Sequence, residues 1–184
     1  MGIIEFSEVI LVNHNDEVIG RMEKLEAHQK GLLHRAFSIF VFNSKNELLI
    51  QKRAKGKYHS EDLWTNTCCS HPSPGESIVS ASNRRLKEEM GMSCELQSVF
   101  SFIYNVELDN GLYEHELDHV VIGFGDDDPV INPLEASMFC WKSMDEIIKD
   151  IDDNPMNYTS WFKIIMVDHL EKINITLKNN NESL

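Results

Sequence analysis

The sequence has little of what marks a secreted, membrane-spanning or polyanion-binding chain. Four cysteines, Cys68, Cys69, Cys94 and Cys140, are too few for a disulfide framework in 184 residues, so free thiols in a reducing cytoplasm are expected. No apolar run approaches the roughly 18–20 residues that cross a bilayer, and residues 1–12 carry Glu5 and Glu8 where a signal peptide has a basic start and a long apolar stretch. No membrane partner is expected. Positive charge is scarce, with 17 Lys and Arg against 30 Asp and Glu, a formal charge of −13. A nucleic-acid backbone demands a basic face, so that partner is excluded, but a small phosphorylated substrate is not. No repeat, linker or low-complexity tract divides the chain. It reads as one domain over residues 1–184, with a core from about 5 to 170 and a frayed tail from Lys178 to Leu184, either monomer or homodimer.

The shortage of cations is uneven. Residues 1–106 hold 12 basic and 13 acidic residues, whereas residues 107–184 hold 5 and 17. In the nearly neutral first part, Lys52, Arg53, Lys55 and Lys57 cluster, as do Arg84, Arg85 and Lys87. Such runs are ordinarily solvated faces, unless motifs give them a shared target.

Apolar patterning predicts a strand over Glu8–Asn13 and a hairpin of His34–Phe42 with Glu47–Arg53 across Asn43-Ser44-Lys45-Asn46. From Ser77 to Met90 the pattern becomes helical, with Ser77 as cap and Gly91 as left-handed terminator. Glu95–Leu108 and Glu116–Phe124 alternate like strands joined across Asp109-Asn110-Gly111. Ser143 and Glu146 have capping-box spacing, so a helix should follow, and Thr159–Ile173 reads as the last helix. The expected fold class is α+β, an α/β/α arrangement with a mixed central sheet.

Ligand-type residues gather along the chain. His28 and His34 precede and begin a strand, His71 follows Cys69-Ser70, and Glu114-His115-Glu116 begins another strand. Alternation aims Glu114 and Glu116 at one point and turns His115 away. Imidazole mixed with carboxylate suits a six-coordinate Mn²⁺, Zn²⁺ or Fe²⁺ rather than a structural thiolate zinc. His14, His59, His115, His119 and His169 have no matched role, and Cys68, Cys94 and Cys140 read as packing residues.

Glu76 followed by Arg84-Arg85-Leu86-Lys87-Glu88-Glu89-Met90-Gly91-Met92 resembles the Nudix box, G-x5-E-x7-R-E-U-x-E-E-x-G-U, with two departures. Ser70 stands for the leading Gly. Arg85 stands for a Glu, which removes a metal-binding carboxylate and adds a phosphate-binding cation. With these departures, Trp64-Thr65-Asn66-Thr67-Cys68-Cys69-Ser70-His71-Pro72, Tyr113-Glu114-His115-Glu116, and Ala27-His28 through His34-Arg35-Ala36-Phe37-Ser38 resemble the type 1 isopentenyl-diphosphate isomerase family over roughly residues 5–170.

The resemblance implies a Nudix-type fold and an isomerase of isoprenoid biosynthesis. It implies Cys69 and Glu116 as the catalytic pair, supported by Tyr104, and His28, His34, His71, Glu114 and Glu116 as ligands of a first ion, Mn²⁺ or Zn²⁺. It further implies Glu89 as ligand of a Mg²⁺ that meets the substrate diphosphate, Lys24, Arg53, Lys57 and Arg85 as diphosphate cations, and Trp161 against the carbon chain. The expected order has Glu116 with Tyr104 giving the proton and Cys69 taking one. A Nudix pyrophosphohydrolase is the alternative, leaving Arg85 and the cysteine signature without purpose. A metal- or diphosphate-binding module without catalysis is a third reading.

Overall fold

The computed structural model describes residues 7–57, 59–108 and 111–181. Within them, strands β1 (Glu8–Val12) and β2 (Val18–Glu23) form a hairpin and lead into helix α1 (Lys24–Lys30). Then come β3 (His34–Phe42), β4 (Leu48–Arg53), the short β5 (Trp64–Thr65) and β6 (Cys68–Ser70), and α2 (Ile78–Met90). The long pair β7 (Leu96–Glu107) and β8 (Tyr113–Phe124) is followed by β9 (Ala136–Lys142), α3 (Met144–Asp153), α4 (Ser160–Asp168) and α5 (Leu170–Asn181). The sheet is mixed with helices on both faces, as expected. The turn residues Asp109 and Asn110 and the last residues 182–184 lie outside the described residues.

β3 organises the fold. One edge pairs in parallel with β8 from His34↔Glu116 to Phe42↔Phe124. The other edge is shared by β1 at His34, β6 at Phe37–Ile39 and β4 at Phe42. The expected β3–β4 hairpin is therefore corrected: it closes at its turn and then opens. Thr67 lies in the gap, its hydroxyl donating to the Leu49 carbonyl (2.6 Å) and accepting from the Val41 amide (2.9 Å), so it takes up groups that a continuous ladder would have paired. Beyond the turn β4 diverges from β3 and pairs with β5 and β9 within the same nine-stranded sheet.

Alternation along β3 sorts the two faces. Phe37, Ile39 and Val41 pack with Ala81, Leu86 and Met90 of α2. Phe40 and Phe42 pack with Ile147, Trp161, Phe162 and Ile165 of the C-terminal helices. His34 and Ser38 fall on this second face, and the β6 pairings Ser38↔Cys69 and Ile39↔Cys68 put Cys69 there and Cys68 on the α2 face.

Two further expectations are corrected. The last helix is not continuous over Thr159–Ile173: it ends at Asp168, and α5 starts at Leu170 and stays helical to Asn181, with Ile173 and Leu177 buried in the core. Residues 178–181 thus belong to a packed helix, not to a frayed tail. The box helix ends as expected at Gly91, where φ is +64° and the amide donates to Lys87 O at 3.0 Å. A Cβ there would meet the Val130 carbonyl at 2.7 Å. Gly91→Ala should cost about 1–2 kcal/mol for the left-handed backbone and about 1–3 kcal/mol more for the contact with Val130. Urea unfolding checks this, and an unchanged midpoint would refute it.

Candidate active site

The expected site residues, apart from His28 and His34, line one cavity that reaches from Trp161 of α4 to Arg85 and Glu89 of α2. His28 and His34 are fully buried and contact His71, which does line it, edge-on and tilted respectively. α1 presents Lys24 and His28, four residues apart and so on one helix face; Glu23 caps this helix by accepting from Leu25 N and Glu26 N, and Gly31 ends it at φ +61°. β8 aligns Glu114, Glu116 and Asp118, while His115 turns away to Gly31 O (2.9 Å).

Histidine tautomers reveal what the cluster can hold. His28 Nδ1 lies 2.7 Å from Lys24 O, and His34 Nδ1 lies 2.8 Å from Leu32 O. A carbonyl only accepts, so each Nδ1 carries the hydrogen, and in the neutral ring that a metal requires each Nε2 presents a lone pair. Those lone pairs face other acceptors. His28 Nε2 is 3.2 Å from Glu114 Oε2, a buried oxygen with no hydrogen-bond donor. His34 Nε2 is 3.2 Å from His71 Nε2, which is 2.8 Å from Glu116 Oε1. Acceptors that converge in this way need a cation between them. The donor atoms of His28, His34, His71 and Glu116 lie within 4.8 Å of one another, and imidazoles tethered through Nδ1–H beside carboxylates suit a divalent ion.

The charges respond to this crowding. Burial lowers the His28 pKa, but Glu114 more than offsets it and the net shift is upward. His71 is held down to about 3 by burial. Burial pushes Glu116 up, but the adjacent His34 and His71 imidazoles prevail and keep it well below the usual carboxylate range. Glu114 is raised by burial and by Glu116.

At the other end of the cavity the cations converge. Burial and then Lys57, Arg53 and Arg85 all lower the pKa of Lys24, with Glu114 opposing them, so an anion entering here would relieve mutual repulsion. Arg53 is fixed by donating to Ser60 O (3.0 Å) and His59 O (3.2 Å). Arg85 pairs with Glu89 at 2.6 Å and Glu135 at 3.2 Å, and Glu135 also pairs with Lys57. Glu88 is half-exposed, bonds to Arg84 and Arg85, and is not among the cavity-lining residues.

Cys69 on β6 and Glu116 on β8 flank β3 on opposite edges. Tyr104, from the β7 position paired with Glu116, donates its hydroxyl to Glu116 Oε2 at 2.6 Å. Burial pushes the Cys69 thiol up to about 12 and also raises the Tyr104 phenol. Burial thus favours the thiol form of Cys69, while Glu116, which accepts from Tyr104 and faces His71, is favoured as a carboxylate. Trp161, nearly fully buried, donates Nε1–H to Asn66 Oδ1 (3.3 Å), and the Arg53 guanidinium lies 5.3 Å from its ring centroid.

The NUDIX domain family profile matches residues 32–162. An isopentenyl-diphosphate Delta-isomerase of Pectobacterium atrosepticum is 52% identical over 158 residues, covering 86% of this chain and 88% of that one. Isopentenyl-diphosphate Delta-isomerase 2 of Aromatoleum aromaticum is 51% identical over 154 residues, covering 84% and 82%. The chain belongs to the isopentenyl-diphosphate Delta-isomerase family. Two solved structures share the fold: DR0079 from Deinococcus radiodurans, with TM-score 0.71 and 19% identity over 86% of this chain and 97% of that one, and a MutT protein from Methanosarcina mazei Go1, with TM-score 0.61 and 17% identity over 77% and 95%.

Four participants in this isomerase-family site carried no motif in the sequence. His59 contacts Glu114 at 3.2 Å. Glu135 joins Lys57 to Arg85. Gln51 donates to Glu89 at 3.1 Å. Asp118, buried and raised first by burial and then by Glu116, accepts from Ser38 at 2.8 Å. Only Asp118 had a readable signal, as the third acidic residue in the alternating Glu114, Glu116 series.

Proposed function

We infer that the chain interconverts isopentenyl diphosphate and dimethylallyl diphosphate by protonating and deprotonating an alkene. The observation that carries this reading is a cavity with four converging cations, in which Cys69 and the Tyr104–Glu116 pair come from strands flanking β3.

The reaction needs one group to give a proton to the terminal methylene and another to remove a proton from the methylene beyond the forming tertiary cation. We assign Cys69 as the donor and Glu116 as the acceptor in the direction of dimethylallyl diphosphate, opposite to the order the resemblance implied; the reverse reaction exchanges their roles, and between successive forward turnovers the proton left on Glu116 is released and Cys69 is reprotonated from solvent. The Trp161 ring can face the intermediate cation, an attraction worth about 2 kcal/mol or more when desolvated. Arg53 lies over that ring and would oppose a second positive charge there; a bound diphosphate neutralises it. Lys24, Arg53, Lys57 and Arg85 therefore anchor the unreacting end and condition the reacting one. Burial of Trp161 and Tyr104 keeps away the water that would turn the cation into an alcohol.

We assign His28, His34, His71, Glu114 and Glu116 to a first divalent ion, Mn²⁺ or Zn²⁺, and Glu89 to a Mg²⁺ shared with the diphosphate; bound, these ions supply fixed positive charge at the two ends of the cavity. The free thiols suit work in a reducing cytoplasm on a small diphosphate, and no helix among the described residues is long and apolar enough to cross a membrane.

Incubation with isopentenyl diphosphate and Mg²⁺ in deuterated water tests the reading. Dimethylallyl diphosphate carrying deuterium in a methyl group is expected. Released phosphate would overturn it in favour of a pyrophosphohydrolase, and unchanged substrate in favour of a binding module.

A further inference from the structure

His59 lies between β4 and β5, outside every motif, yet it reaches the metal-type cluster. Its ring is buried, stacks on His28 at 6.0 Å between centroids, and meets Trp161 edge-on at 5.9 Å. Its Nε2 is 3.2 Å from Glu114 Oε1, and its Nδ1 is 3.2 Å from Ser60 Oγ. A carboxylate oxygen accepts, so the nitrogen facing it carries the hydrogen, and the Ser60 hydroxyl is able to donate to Nδ1. This is the opposite tautomer from His28 and His34, whose Nδ1–H groups are tied to carbonyls and whose bare Nε2 atoms face the cluster.

We propose that His59 is a positioning residue for the first divalent ion: its Nε2–H holds Glu114 Oε1, leaving the orphaned Oε2 beside His28 Nε2 as the atom that ligates. His59 Nε2 lies within 4.8 Å of the His28 and Glu114 donor atoms, but its Nδ1 faces the Ser60 hydroxyl rather than a carbonyl that would fix the hydrogen there, so Nε2 keeps its hydrogen for Glu114 and the role proposed is orientation, not ligation. Orienting partners of this kind typically govern about 10–100-fold in metal affinity, because a carboxylate free to rotate must be ordered when the ion arrives.

The proposal rests on the ligand set assigned above, and the test separates the two. Wild type, His59→Leu and His59→Gln are stripped with chelator and titrated with Mn²⁺, with affinity measured by competition and coordinated nitrogens counted by pulsed EPR. Wild type should show three imidazole nitrogens. His59→Leu should bind about 10–100-fold more weakly with the same three, and His59→Gln, whose amide can donate to Oε1, should regain most of the affinity. Unchanged affinity in His59→Leu would overturn the positioning role, as would loss of a nitrogen signal, which would make His59 a ligand. A wild type that takes no Mn²⁺, or His34→Ala binding as well as wild type, would overturn the ligand set together with the role that depends on it.

Discussion

Cys69→Ala is expected to lower turnover of isopentenyl diphosphate by about 10²–10⁴-fold, the usual contribution of a positioned proton-transfer group, with little change in KM. The split follows from where the residue sits. Lys24, Arg53, Lys57 and Arg85, the cations proposed to hold the diphosphate, are untouched, so binding should survive; the thiol, with its pKa pushed up to about 12, is the proposed proton donor on the β6 side. A fall in kcat and kcat/KM together, at constant KM, marks an interaction made only in the transition state. Cys69→Ser should also be slow, since a hydroxyl gives up its proton less readily than a thiol. Mn²⁺ content should stay at the wild-type level, because Cys69 is not in the His/Glu group. Steady-state kinetics with metal analysis checks all three, and near-normal turnover in Cys69→Ala would remove Cys69 from the mechanism.

Elements closed by local signals were legible in the sequence. α2 follows from the Ser77 cap and the Gly91 terminator, and α3 from the Ser143–Glu146 box, both present as expected. α1 was missed although Lys24–Lys30 is rich in helix formers and ends at a left-handed Gly31; its seven residues are too few for periodicity to stand out. The break at His169 was hidden because the apolar spacing continues across it. What no local pattern carries is pairing between distant segments: β3 and β8 are some 80 positions apart, and only the structure shows Thr67 holding β3 and β4 open.

The site divides along the same line. The residues the resemblance singled out, from Lys24 to Trp161, lie in or beside one cavity. His59 and Glu135 were illegible because a lone histidine and a lone glutamate in loops have no spacing to betray them. Glu135 also revises the charge reading: the acidic second part of the chain sends a carboxylate back among the cations of the neutral first part, so Lys57 and Arg85 are held in place rather than left to repel one another.

Glu116→Gln should be the most damaging single change, with turnover reduced at or beyond the upper end of the about 10²–10⁴-fold range. Three features meet on this side chain: it is the proposed proton acceptor, it takes the Tyr104 hydroxyl at 2.6 Å, and its Oε1 lies 2.8 Å from His71 Nε2 in the candidate ligand group. The amide is nearly isosteric but cannot take the proton, and it replaces one carboxylate oxygen with a donor pointed at either a hydroxyl or an imidazole. Mn²⁺ affinity should therefore fall as well, which does not follow for Cys69→Ala. Tyr104→Phe separates the contributions, since it removes only a hydrogen bond to a charged group, worth about 1.5–3 kcal/mol, and should slow turnover by about 10–100-fold with Mn²⁺ affinity near wild type. Deuterium incorporation in single-turnover experiments, read beside Mn²⁺ titration, gives the order Glu116→Gln slower than Tyr104→Phe. If the two variants proved equally slow and equally able to bind Mn²⁺, Glu116 would be reduced to a partner of Tyr104.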